Sequence, residues 1–381
     1  MRKIIFAIFL LFPLLLVYPF MNMSVEGPVQ FPVKRGEDFR TTMRRLKREG
    51  IIRDTFRFLM LARILKLDKK SKFGFYTFKR NLPEIKVLFK LAVEGAPLRE
   101  FKIRIPEGYT LKKMAPLFKK IGIEPDTFLK YTTDSLFVKK VRRCCPLMDS
   151  PPTLEGYLYP DTYKFVYGES VYDVVCKMLR RTCSVFDSTM VKRMNDIDFN
   201  MHEVLTLASI IEKEAMVDSE RYIISGVFHN RLRKGIPLAS NPTLNYALGE
   251  NYGWLPRWAI RSRTPYNTYI YPGLPPGPIC APSRKSILAV LWPKKVKYLY
   301  FVARGDGTHL FARTYAQHQR NIKYVKYLMF RKRNSKSSSG VVKGIKKVNN
   351  KSKSQKDEKG IEDSVRHNVD QKSNNNTNKT D

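Results

Sequence analysis

Part of this 381-residue chain is written twice, and that repeat limits the fold more than any other feature. "FPVKRGEDFRTTMRRLKREGIIRDTF" begins at Phe31, and "IRIPEGYTLKKMAPLFKKIGIEPDTF" begins at Ile103. At a constant offset of 72 residues, Gly36 falls against Gly108, Gly50 against Gly122, and Asp54-Thr55-Phe56 against Asp126-Thr127-Phe128. Each copy predicts a short alternating strand, a glycine turn, an amphipathic helix that stops at glycine, and an aspartate capping the next helix. Two copies imply a small αβ unit used twice rather than a solenoid.

Ahead of the repeat, Met1-Arg2-Lys3 is followed by an uncharged run from Ile4 to Met23. Twenty residues suffice to cross a hydrocarbon core as a helix. Pro13 is tolerated there more readily than in a soluble helix. The cations on the short side keep the N-terminus cytoplasmic. A cleavable signal peptide is the rival, but "VYPFMNMS" has no A-x-A-like cleavage site and no lipobox cysteine follows. The expectation is an uncleaved anchor, with nearly everything after Val25 on the outer side. The net charge of +36 calls for anionic surroundings. Nucleic acid is the cheap reading of that charge, but it lies on the wrong side of a membrane, and no RRM, KH or helix-turn-helix pattern supports it.

The reading along the chain is α+β: an N-terminal transmembrane helix, a small αβ repeat region, a mixed α/β catalytic domain and a disordered C-terminal tail. The expected boundaries are 1–25, 26–147, 148–330 and 331–381, with Pro146–Pro152 ("PLMDSPP") as linker. After Phe330 the chain is lysine-, serine- and asparagine-rich with almost no large apolar residues, too few to offset ordering entropy. Five cysteines leave at least one unpaired, and their spacing fits no zinc site. They are read as buried or incidentally reactive thiols, with one disulfide of unassigned pairing as the alternative.

No nucleotide loop, H-E-x-x-H or G-x-S-x-G occurs, and five scattered histidines define no metal site, so neither metal nor cofactor is expected. The third quarter instead carries carboxylates in apolar or loop-rich surroundings: Glu155, Asp161, Glu212, Glu214 and Glu220. In "LTLASIIEKEAM" (Leu205–Met216) apolar residues point all round the helix, so it is buried on most sides. Burial would keep a carboxyl protonated, as a general acid requires. Periodicity does not choose between Glu212 and Glu214, and a solvated helix end explains an isolated "EKE" equally well.

The ordered set "EGYLYPDTY…ASIIEKE…NRL…TPYNTY…GLPPGPI…YFVARGDGTH" resembles the MltG-like (YceG-like) endolytic murein transglycosylases over roughly Phe31–Tyr327. The resemblance implies cleavage of the β-1,4 bond between N-acetylmuramic acid and N-acetylglucosamine, leaving a 1,6-anhydro end without water. It makes Glu212 the acid/base and Glu214 a solvated neighbour. Asn230, Tyr266, Asn267, Thr268 and Tyr269 are candidate substrate-positioning residues; satisfaction of loop backbone is the even alternative. The repeat similarly resembles LysM domains, which grip N-acetyl sugars, against the plainer reading of a spacer. Implied partners are peptidoglycan glycan strands, the membrane and peptidoglycan synthases. A catalytically dead peptidoglycan-binding scaffold is the competing function. The chain departs from the family at Ala239 (often Gln), Asn241 (usually Asp) and Ser283 (usually Gly).

Overall fold

The computed structural model describes residues 28–331, apart from positions 35, 69, 70, 80, 81, 97 and 98. The proposed anchor (Ile4–Met23) and the tail beyond Arg331 lie outside the described residues. Among the described residues, no helix is long and apolar enough to cross a membrane. The fold is mixed α/β and divides into two compact units, one ending at Lys297 and the other beginning at Tyr298.

In the first repeat copy, β1 (Val29–Val33) and β2 (Gly74–Phe78) form an antiparallel pair in which Phe31 faces Tyr76. Between them run α1 (Phe39–Arg48) and α2 (Thr55–Ile64). Alternation along β1 sends Phe31 and Val33 inward, where they meet Leu46, Ile51, Phe58, Phe78 and, from α3 (Glu84–Phe89), Leu88. Each such side chain contributes roughly 1.5–3 kcal/mol relative to exposure. Asp38 caps α1 through the Arg40 amide and Asp54 caps α2 through the Arg57 amide.

The second copy repeats the plan with a longer insert. β3 (Glu100–Arg104) pairs antiparallel with β4 (Thr162–Val166), Ile103 facing Tyr163. Between them lie α4 (Leu111–Met114), a tighter turn over Ala115–Ile121, α5 (Pro125–Thr133) and α6 (Ser135–Val141). Gly50 and Gly122, where the first helix of each copy stops, have φ of +70° and +87°, a region that penalises any Cβ. The predicted aspartate cap holds in one copy only. Pro125 starts α5 one residue earlier, so Glu124 is the cap without a side-chain bond and Asp126 lies in the first turn.

The Pro146–Pro152 stretch is packed: Met148 and Pro151 are buried, and β4 beyond it completes the sheet begun by β3. The reading of free thiols also needs correction. Cys144 bonds Cys176 and Cys145 bonds Cys183, leaving Cys280 as the buried free thiol. Both partners lie on α7 (Val171–Val185). Seven residues, two helical turns, set Cys176 and Cys183 on one face, where two chain neighbours reach both. Sequence spacing alone does not show that docking.

After α7 and α8 (Ser188–Asp196) comes α9 (Met201–Glu214), started by an Asn200/Glu203 capping box. From Val204 to Ile211 every residue of α9 is buried. This follows from its packing against α10 (Asp218–Arg233), α11 (Asn241–Leu248) and α13 (Arg284–Leu291); α12 (Arg257–Ile260) is a single turn. The second unit is a hairpin, β5 (Tyr300–Ala303) and β6 (His309–Ala312), followed by a helix over 315–331.

Candidate active site

The last turn of α9 carries Glu212 out of the core, and donors from α10 and from the start of α13 meet its carboxyl. Oε2 accepts from the Ser283 backbone N–H (3.0 Å), the Ser283 hydroxyl (2.6 Å), the Ser286 hydroxyl (2.7 Å) and Arg221 Nη1 (3.2 Å). Arg221 Nη1 also donates to Ser286 Oγ at 2.6 Å, so guanidinium, hydroxyl and carboxyl form a closed triangle. Ser283 is the N-cap of α13, which places Oε2 at the positive end of an eight-residue helix. Among the described residues no protein donor meets Oε1. The surroundings of Glu212 are thus polar, unlike the apolar pocket suggested by the composition of α9. Among the described residues, the protein's donors all fall on one of the two oxygens.

The second repeat copy passes beside the Glu212 side chain. Gly108 donates to the Ala281 carbonyl and Ala281 to that of Tyr109, both at 2.8 Å. A Cβ at Gly108 would lie 3.0 Å from Lys213 Nζ and 3.9 Å from Glu212 Cγ. With φ of +72°, only glycine lets the backbone pass so closely.

Three residues on, Leu111 donates its amide to both oxygens of Glu155, at 3.1 and 3.2 Å. Glu155 is 5% exposed, and Tyr246 of α11 offers its hydroxyl at 3.4 Å. Burial pushes this carboxyl up to about 7, against the lowering effect of the Leu111 and Gly156 amides, Tyr246 and Lys213. The other acids singled out by sequence play different parts. Asp161 pairs with Arg181 at the surface and Glu220 lies in the first turn of α10. Glu214, expected to be solvated, is half-buried and accepts from Ser240 Oγ at 2.5 Å. It thereby ties α9 to the start of α11.

The candidate positioning residues do not converge on Glu212 as a group. Asn267 is fully buried; its amide donates to the Ile260 and Ser262 carbonyls and its oxygen accepts from the Tyr269 amide. Thr268 accepts from the Ser240 amide and bonds Thr243, while Tyr269 donates to Asn241 Oδ1. Asn230 donates to the Val296 carbonyl at 2.8 Å. Tyr266 packs on Tyr246 (ring centroids 5.1 Å apart) and approaches Gly277 and His202. Ala239, in the left-handed region at φ +48°, is held by its amide on the Thr268 carbonyl. Asn241, the first residue of α11 rather than its cap, supplies the acceptor for the Tyr269 hydroxyl.

Sequence reasoning missed Arg221, Ser286 and the role of Ser283. The side chain at Ser283 supplies a hydroxyl bond to Glu212. A cavity of about 500 Å³ lies elsewhere, at the N-terminal end of α9, lined by His202, Glu203, Leu274 and Pro276 among others. Ten residues of helix separate His202 from Glu212, about 15 Å. His202 is itself engaged there by Tyr157 OH (2.9 Å) and the Pro276 carbonyl (2.8 Å). Among the described residues no cluster of His, Cys, Asp and Glu is arranged to hold a metal ion.

A carboxyl anchored by one oxygen at the end of a buried helix, beside a glycine-bearing αβ unit, is the candidate site on a mixed α/β scaffold. The YceG-like family matches residues 31–324, and the chain belongs to that family. It is 32% identical over 266 residues to the endolytic murein transglycosylase of Bacillus subtilis (strain 168), covering 65% of this chain and 71% of that one. The endolytic murein transglycosylase of Streptococcus pneumoniae (strain ATCC BAA-255 / R6) is 30% identical over 305 residues, 73% of this chain and 54% of the relative. A 2.6 Å crystal structure of a YceG-like protein from Listeria monocytogenes superposes with a TM-score of 0.54 at 29% identity, over 78% of this chain and 99% of that one.

Proposed function

We propose that this chain is an endolytic murein lytic transglycosylase. It would cleave the β-1,4 bond between N-acetylmuramic acid and N-acetylglucosamine and leave 1,6-anhydro-muramic acid ends. The observation that carries the reading is the division of labour on Glu212: among the described residues, Oε2 is met by four donors and Oε1 by none. Relatives of the same family bearing that name support it.

Ordinary glycosidases need two carboxylates, one to protonate the leaving oxygen and one to attack or to activate water. Here the C6 hydroxyl of the sugar is the nucleophile, so one group suffices. Glu212 gives its proton to the leaving oxygen through Oε1 as the C1–O bond breaks. Arg221, Ser283 and Ser286 stabilise the carboxylate that remains. That carboxylate then takes the C6 hydroxyl proton as O6 closes on C1, which restores the acid and consumes no water.

The same reading places the catalytic domain outside the cytoplasmic membrane, held by Ile4–Met23 as a single-pass anchor, with the anhydro cut limiting nascent strand length near the synthases. Within it, the repeat region precedes the catalytic helices, with β4 (Thr162–Val166) closing the second copy. In this reading the two αβ units would act as LysM-like modules that grip N-acetyl sugars. Mass spectrometry of purified glycan strands incubated with the chain tests the activity. Anhydro-muramic ends are expected; a non-catalytic scaffold would bind the strands and leave their termini unchanged.

A further inference from the structure

Glu155 is a buried carboxyl that the mechanism leaves unused. Glu155 sits in a turn that the fold has forced tight: a Cβ at Gly156 (φ +77°) would lie 2.2 Å from Pro278 Cβ and 3.2 Å from the Cys280 carbonyl. From this turn Glu155 holds the Leu111 amide with both oxygens. Leu111 opens α4, and the three residues before it are the strip that bonds Ala281 and crosses Lys213 and Glu212 at Gly108. One side of the Glu212 site is therefore backbone of the second repeat copy, and Glu155 fastens the end of it.

We propose that Glu155 is a positioning residue that clamps the Gly108–Leu111 strip over Glu212, so that the second αβ unit and the catalytic helix act as one wall for the glycan strand. The role of that wall rests on the transglycosylase reading; the clamp itself does not. The groups around Glu155 come from every neighbouring element: the Leu111 amide from α4, Lys213 from α9, Tyr246 from α11, Tyr266 from the following turn and Cys280 from the proline-rich loop. The cation acting on Glu155 is Lys213, which is exposed, and Lys113 of α4 acts on the neighbouring Cys280. Both oxygens accept, from the Leu111 amide and the Tyr246 hydroxyl, yet burial outweighs these bonds and disfavours the charged form. Ionisation leaves a poorly compensated buried charge, which favours opening of the clamp and hydration of the group.

Hydrogen–deuterium exchange of the peptide covering Gly108–Leu111, between pH 5 and 8 and corrected for intrinsic rates, reads the clamp without any need for catalysis. Protection in the wild-type chain is expected to fall by roughly tenfold per pH unit up to about pH 7 and then to level off. Glu155→Gln keeps an acceptor for Leu111 and a donor for Tyr246 but carries no charge, so its protection is expected to be flat with pH. Its kcat/KM on glycan strands should stay within a few-fold of wild type at pH 6. Glu155→Ala should lose at least tenfold in protection there and raise KM more than it lowers kcat. Glu212→Gln, which tests the chemistry, should leave the exchange of this peptide unchanged. Equal pH dependence in wild type and Glu155→Gln, or full protection in Glu155→Ala, would overturn the clamp whatever the outcome for cleavage.

Discussion

Arg221 Nη1 stands 3.2 Å from Glu212 Oε2, and the two side chains are only 10% and 9% exposed. Ser286 Oγ bridges them, accepting from the guanidinium and donating to the carboxyl. On its other edge Arg221 Nε meets Asp218 at 3.0 Å, which Lys285 also contacts. Arg221 is thus held from outside the site while it fixes the carboxyl within it. A lysine would place a charge there without serving both edges.

Arg221→Met should therefore hurt both fold and chemistry. Breaking one partner out of a buried pair costs about 3–5 kcal/mol of stability. Loss of a donor to a developing anion is expected to lower kcat by roughly 10²-fold, with a smaller change in KM. Thermal unfolding and steady-state kinetics on the same preparation check the two effects separately. Wild-type kcat in a folded Arg221→Met chain would remove Arg221 from the mechanism.

Glu155 supplies a stability prediction whose sign follows from burial. Its folded value, about 7, lies above the ordinary 4.5, so the folded state holds the proton more tightly than the unfolded chain. The contribution is fully present below about pH 4.5 and is lost as pH rises through about 7. Glu155→Gln escapes that loss. Relative to wild type it should gain about 3 kcal/mol between pH 4.5 and pH 8. Denaturant melts at both pH values measure this, and an unchanged difference contradicts it.

The cysteine pairing makes a chemical prediction. Cys144–Cys176 and Cys145–Cys183 close segments of 32 and 38 residues, each of which should stabilise the fold by about 2–4 kcal/mol. Thiol titration of the unreduced chain should give one reactive group in denaturant, Cys280, and none in the folded state. Five thiols in unreduced, denatured protein would show that neither bond forms.

How far the sequence revealed this arrangement depends on the range of the interactions. The repeat was legible because Gly36, Gly50, Gly108 and Gly122 mark backbone conformations that are local, and all four have positive φ. The burial of α9 was legible because its residues are apolar all round. The shell of Glu212 was not. Arg221 is nine residues away on the next helix, and Ser283 and Ser286 are 71 and 74 away on another, with no spacing rule to join them. Asn267 and Thr268 look like binding residues by type. Only the fold shows their polar atoms engaged by Ile260, Ser262, Ser240 and Thr243.

The first repeat copy is expected to matter for strand binding more than for chemistry. Its core, from Phe31 to Ala92, is its own, whereas the second copy borders Glu212. A chain lacking Phe31–Leu98 should still produce anhydro ends, with weaker binding to glycan or altered product lengths. Unchanged affinity would reduce this copy to a spacer.

The central claim is that Glu212 is the single acid/base. Glu212→Gln keeps the shape of the side chain and an oxygen for the Arg221, Ser283 and Ser286 donors, but cannot cycle a proton. Mass spectrometry of glycan strands incubated with equal amounts of purified, folded wild-type and Glu212→Gln chains measures the rate at which anhydro-muramic ends appear. The account predicts a loss of at least roughly 10²–10⁴-fold in the variant. Comparable rates from the two proteins would contradict it.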